Sequence, residues 1–161
     1  MSTTFDFGFG PVPAHRHPHG GGWVADTAHV ADSAYIGPDA RVYGDAWVNG
    51  DARVYGDAQV YGDAWVNGNA RVSGDAWVNG NARVSGNATI SKPSDYLLIG
   101  PIGSRAAFMT WTRSDNCIAT GCFRGTIKEF LAAVRETHGD NEHAQAYRAA
   151  VEFIRAMEKL A

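Results

Sequence analysis

Cysteine is scarce, with only Cys117 and Cys122 among 161 residues. Two thiols five positions apart make neither a disulfide framework nor a CxxC pair, and read as reduced, intracellular cysteines. Long apolar runs are missing as well. Nothing approaches the roughly 18 consecutive residues of a membrane-spanning helix. Residues 1–22 lack a Lys/Arg-flanked apolar stretch, so no secretory signal is expected and the cytoplasm is the expected compartment. Charge is thin, at 19% of residues, with 14 Lys+Arg against 17 Asp+Glu for a net −3. That balance excludes a protein that coats DNA or RNA by charge. The distribution is uneven: residues 1–93 hold 6 basic and 9 acidic residues, and 94–161 hold 8 of each.

Glycine is plentiful, at 19 residues, well above the roughly 7% of an average chain. It belongs to a repeat. From Val24 to Ile90 an aliphatic residue recurs at every sixth position through twelve repeats, and a small residue stands two positions before each. From residue 44 onward each repeat also carries Gly followed by Asp or Asn, as in Gly44-Asp45 and Gly68-Asn69. Alternation of Ala and Val predicts a short strand with one buried face. The Gly–Asx pair predicts a tight corner, because both residues tolerate left-handed backbone angles. Three six-residue sides make an 18-residue triangular rung, and twelve repeats make about four rungs, roughly 19 Å of solenoid. Asn49-Gly50, Asn67-Gly68 and Asn79-Gly80 also suit hairpins. A meander, however, has no reason to hold one unvarying period.

The stretch Ala34-Tyr35-Ile36-Gly37-Pro38-Asp39-Ala40-Arg41-Val42 resembles the repeat of the hexapeptide-repeat family. Residues 22–91 as a whole resemble its left-handed parallel β-helices. Later repeats depart by placing Gly two residues after the aliphatic rather than one. The resemblance implies homotrimers packed along the prism faces. It also implies two kinds of enzyme: acyltransferases using acetyl-coenzyme A, with a His base beside a loop that interrupts the coils, and zinc carbonic anhydrases with three coil histidines. Here no loop interrupts the repeats, and His29 is the only coil histidine. Both enzymatic readings are weakened, and no cofactor is expected.

Stacking every eighteenth residue gives the outward columns. Those preceding the aliphatic are Trp23, Arg41, Gln59, Trp77; His29, Trp47, Trp65, Arg83; and Tyr35, Arg53, Arg71, Thr89. Tyr43 and Tyr61 stack in a column that follows it. Outward aromatics on a solenoid mark an interaction surface, so Trp47, Trp65, Tyr43 and Tyr61 are candidate interface residues. The alternative is that the rings only stabilise neighbouring rungs. Arg53 above Arg71 either holds an anion or pairs with corner Asp residues, and the second is expected.

Residues 1–21 read as a flexible His/Gly/Pro-rich segment. Phe5, Phe7 and Phe9 alternate, which alternatively suits an extended strand over an apolar surface. His15, His17 and His19 suggest a metal tract, but no further ligand completes a site, and no metal is expected. Residues 94–161 read as a βββαα module, with strands at 96–100, 106–113 and 117–123. A Thr126–Glu129 capping box opens the first helix, and a second runs over about 142–160. The module is expected to cap the last rung. Two of its loops, 100–105 and 121–126, place Ser104, Arg105, Arg124 and Thr126 where a phosphate would be gripped. Trp111, Phe123 or Tyr147 would stack a ring. The rival is a plain cap in which both arginines pair with surface carboxylates. His138 and His143 read as helix-cap residues.

The module also resembles the C-terminal part of small proteins carried by phages and prophages, some of which sequester host nucleotide immune signals. Together these readings point to a non-catalytic oligomeric binding protein, acting on itself and on an anionic nucleotide-type molecule in the host cytoplasm. No membrane contact and no general nucleic-acid binding are expected. The alternatives are a β-helix acyltransferase and a purely structural oligomer.

Overall fold

Each coil side carries an inward Ala and an inward aliphatic residue, and both must leave water. A computed structural model describes residues 3–160, and the chain divides into two compact units, Met1–Asp95 and Tyr96–Ala161. The first is mainly a β-solenoid of about four turns. One of its faces stacks β3 (Trp23–Ala25), β6 (Arg41–Val42), β9 (Gln59–Val60) and β12 (Trp77–Val78). The next stacks β4 (His29–Val30), β7 (Trp47–Val48), β10 (Trp65–Val66) and β13 (Arg83–Val84). The last stacks β5 (Tyr35–Ile36), β8 (Arg53–Val54), β11 (Arg71–Val72) and β14 (Thr89–Ile90). Pairing is parallel, in the 18-residue register expected: Trp47 lies beside Trp65, and Arg53 beside Arg71. Backbone N–H groups donate up or down one coil, as from Arg53 to Ala70 and from Tyr55 to Val72, both at 2.9 Å. The inward Ala and Val/Ile side chains from Ala34 to Ile90 are completely buried.

The corners need glycine. Gly44, Gly50, Gly56, Gly62, Gly68, Gly74, Gly80 and Gly86 all have φ between +58° and +70°, the left-handed region that costs other residues about 1–2 kcal/mol.

The N-terminal lead-in differs from the flexible segment expected. β1 (Thr4–Asp6) and β2 (Pro11–Arg16) form an antiparallel hairpin, and β2 pairs with β3 to extend the first face to six strands. The cause is aromatic burial. Phe5 stacks on Trp23 at 4.5 Å and Phe7 on Tyr43 at 4.9 Å. Asp6 accepts from the N–H groups of Gly8 and Gly10, which closes the turn. Those bonds hold its carboxyl below the usual range.

The solenoid ends at a short 3₁₀ turn, Pro93–Asp95. The buried Asp95 carboxylate accepts from the Ser91 N–H, the Ser91 hydroxyl and the Lys92 N–H.

The second unit is a small antiparallel sheet with two helices. It has one strand more than expected: β15 (Tyr96–Ile102), β16 (Ala107–Thr112), β17 (Cys117–Thr120) and β18 (Phe123–Thr126), in that order. The expected third strand breaks at Gly121-Cys122, the two-residue loop between Thr120 and its partner Phe123. Gly121 has φ +54°, as the first position of a type II′ hairpin requires. Helix α1 (Ile127–His138) opens on the Thr126–Glu129 capping box, and α2 (Glu142–Lys159) on Asn141. Their apolar stripes close over Met109, Trp111 and Ile118.

Candidate functional site

The strand order of the second unit puts the β15–β16 loop and the β17–β18 turn at one end of the sheet, and the β16–β17 turn at the other. The two loops singled out in the sequence therefore meet. They border a cleft of about 230 Å³ whose lining includes Ser104, Arg105, Gly121, Cys122, His138 and Tyr147. Phe123 and Phe130 supply apolar floor. Arg105 is exposed, and among the described residues no carboxylate pairs with it. Such a cleft, apolar below with a hydroxyl and a guanidinium at its edge, suits a ring carrying an anionic group.

Three expected site residues lie elsewhere. Trp111 is fully buried in the core, its indole N–H donating to Asn116 Oδ1 at 2.8 Å, so it has no face to offer a ligand. Arg124 lies on β18, and its guanidinium meets Asp115 Oδ2 at 2.8 Å, near the opposite turn. Thr126 is engaged as the N-cap: its hydroxyl donates to Glu129 Oε2 at 2.8 Å and accepts from the Glu129 N–H. The Glu129 carboxylate, held below its usual range by the Thr126 N–H, already supplies a negative charge at the helix N-terminus. An exogenous anion there would meet repulsion.

Tyr147 lines the cleft but is only 8% exposed. A Cβ on Gly103 would clash with its hydroxyl and the adjoining ring carbons, so the loop packs directly on the phenol. Cys122 and His138 join the cleft unanticipated. The signal for Cys122 was the Gly-X dipeptide of a two-residue turn. The two thiols differ. Burial, with the Asp115 carboxylate adding to it, pushes the Cys117 thiol up, whereas Cys122 is exposed.

On the solenoid, Trp47 and Trp65 stack at 5.5 Å. His29 covers the outer face of Trp47 at 4.2 Å, and the Arg83 guanidinium that of Trp65 at 5.4 Å. Ring faces are thus covered and ring edges exposed, at 37% and 40%. Tyr43 and Tyr61 stack with planes 1° apart. The Tyr43 hydroxyl donates to Gln59 Oε1, and the Tyr61 hydroxyl accepts from Asn79 Nδ2. The hairpin phenylalanines half-cover Tyr43, so this column is occupied within its own chain. Trp77, which lies beside Gln59 rather than a ring, is the most exposed tryptophan at 52%.

The three N-terminal histidines are drawn to separate partners. His15 Nδ1 lies 2.9 Å from Asp26, His17 is buried, and His19 Nδ1 lies 3.1 Å from the Ala34 carbonyl. Among the described residues no group of three or more His, Cys, Asp or Glu side chains is arranged to hold a metal. No described helix is long and apolar enough to cross a membrane.

Two tandem matches to the family model of the YdcK β-solenoid repeat cover residues 40–56 and 58–74. Their starts, Ala40 and Ala58, are inward residues one coil apart, so each match is one turn of the prism. The chain is a β-solenoid repeat protein. No curated protein and no solved structure matches it.

Proposed function

We propose that this β-solenoid protein is a non-catalytic, self-associating binding protein whose C-terminal unit takes an anionic, ring-bearing small molecule of nucleotide type. The observation that carries the reading is the cleft that unites Ser104 and Arg105 with Phe123, Phe130 and Tyr147. An exposed guanidinium with no carboxylate partner among the described residues, beside apolar lining, suits a phosphate whose attached ring lies inward. The module's resemblance to small phage-carried proteins gives the reading its biological form, the sequestration of a host nucleotide signal.

Calorimetric titration of a nucleotide panel, with acetyl-coenzyme A as a separate arm, tests it. A charge-assisted contact to phosphate contributes about 1.5–3 kcal/mol, so Arg105→Ala is expected to weaken binding roughly tenfold to a hundredfold. Arg124→Ala, which removes a guanidinium turned toward Asp115, is expected to leave affinity within about twofold. No nucleotide hit, or equal loss in both variants, overturns the cleft as the site. Thiol release from acetyl-coenzyme A on an amine acceptor would favour the acyltransferase instead.

A further inference from the structure

The third solenoid face carries Arg53 directly beside Arg71. Both are exposed, and the expected pairs with corner Asp residues are not formed: among the described residues neither arginine has an ion-pair partner. Like charges in adjacent rungs repel, so the pair calls for an anionic partner outside its own chain. The second face carries the complement. Asp45 and Asp63 stand at its leading edge, one coil apart, each two residues before a stacked tryptophan. They too are exposed and without an ion pair among the described residues. The repeated Asp-Ala-Trp-Val-Asn of residues 45–49 and 63–67 thus sets two carboxylates beside two indole edges.

We infer that a second copy of this chain docks its Arg53/Arg71 face against the Asp45/Asp63–Trp47/Trp65 face of the first. Two features support a second copy over a free anion. Both ladders have the same rung spacing, about 4.8 Å. Both also occupy the same two middle coils, since residues 45–53 and 63–71 lie one coil apart. Rotation about an axis parallel to the solenoid keeps every rung at its own height, so Arg53 of one copy meets the Asp45–Trp47 level of the next, and Arg71 the Asp63–Trp65 level. Desolvating the indole edges supplies apolar area, while the matched charges set register and direction. The contact is heterologous, with different surfaces meeting. It rests on the self-association reading above and names its surfaces.

Multi-angle light scattering tests it. Wild-type chain is expected at a multiple of the 17.3 kDa protomer. Arg53→Glu/Arg71→Glu and Asp45→Arg/Asp63→Arg are each expected to fall to protomer mass with unchanged circular dichroism. Mixing the two restores both charge matches, because each mutated face then opposes the other. Tagged Arg53→Glu/Arg71→Glu is therefore expected to capture Asp45→Arg/Asp63→Arg at least tenfold better than it captures itself. Wild type at protomer mass overturns self-association altogether. Oligomeric wild type with oligomeric variants, or no preferential capture in the mixture, overturns these surfaces alone.

Discussion

At the scale of single residues, chemistry follows from which neighbour a side chain finds, and that is where reading from sequence is weakest. Ser104 and Arg105 reached the cleft because they sit in a loop whose residues have few other places to go. Trp111 and Arg124 did not, for reasons of register. Strand pairing puts Trp111 opposite Ile118 in the core and directs Arg124 toward Asp115, and no local signal in either segment announces that pairing. The cysteines make the same distinction testable. Cys117, with its thiol pushed up by burial and by Asp115, is poorly ionised at neutral pH, whereas Cys122 stands exposed at a turn. Thiolate is the reactive form. Brief maleimide treatment at pH 7 followed by peptide mass mapping is expected to label Cys122 at least tenfold faster than Cys117. A bound cleft ligand is expected to slow the Cys122 reaction. Equal rates would mean that the β17 environment is more open than its burial indicates.

Among elements, legibility tracks periodicity. The twelve coil strands and their three columns could be written down from spacing alone, because a buried residue at every sixth position allows one register and no other. The aperiodic elements were harder. The N-terminal hairpin is held by stacking of Phe5 and Phe7 on rings of another segment, Trp23 and Tyr43, which composition cannot reveal. The fourth strand of the second unit hid behind a two-residue turn lying inside an apparently continuous apolar run. The solenoid terminator is another element without a repeat. Burial pushes the Asp95 carboxyl up, but the Ser91 N–H, the Ser91 hydroxyl and the Lys92 N–H outweigh it, with help from the Lys92 charge, and hold it below its usual range. A carboxyl lowered on folding contributes stability that is complete above the unfolded carboxylate value and is lost as pH falls through the lowered folded one. Asp95→Asn is therefore expected to cost about 1 kcal/mol near neutral pH. It should also flatten thermal stability below about pH 4, relative to wild type. Identical melting curves for the two proteins from pH 7 to pH 3 would remove Asp95 as the terminator.

For the molecule as a whole, the acidic excess resides in residues 1–93 and residues 94–161 are balanced, yet the proposed self-association draws on the placement of charge rather than on its net value. Two arginines and two aspartates on separate faces lack ion-pair partners among the described residues, while the stacked tryptophans of neighbouring rungs stay partly exposed. These two contributions to an interface respond oppositely to salt. Exposed ion pairs are screened as the Debye length falls from about 10 Å at 0.1 M to about 3 Å at 1 M. Burial of apolar area persists, and is strengthened by excluded salts such as sulfate. Because individual exposed pairs are weak, the loss is expected to be modest: roughly fivefold weaker association between 0.1 M and 1 M sodium chloride. Trp47→Ala/Trp65→Ala is expected to weaken it further at both salt concentrations while leaving the salt response itself unchanged. Sedimentation equilibrium across the series separates the two. Association that tightens steadily with sodium chloride would mean that the indole edges carry the contact and that Arg53, Arg71, Asp45 and Asp63 stand outside it.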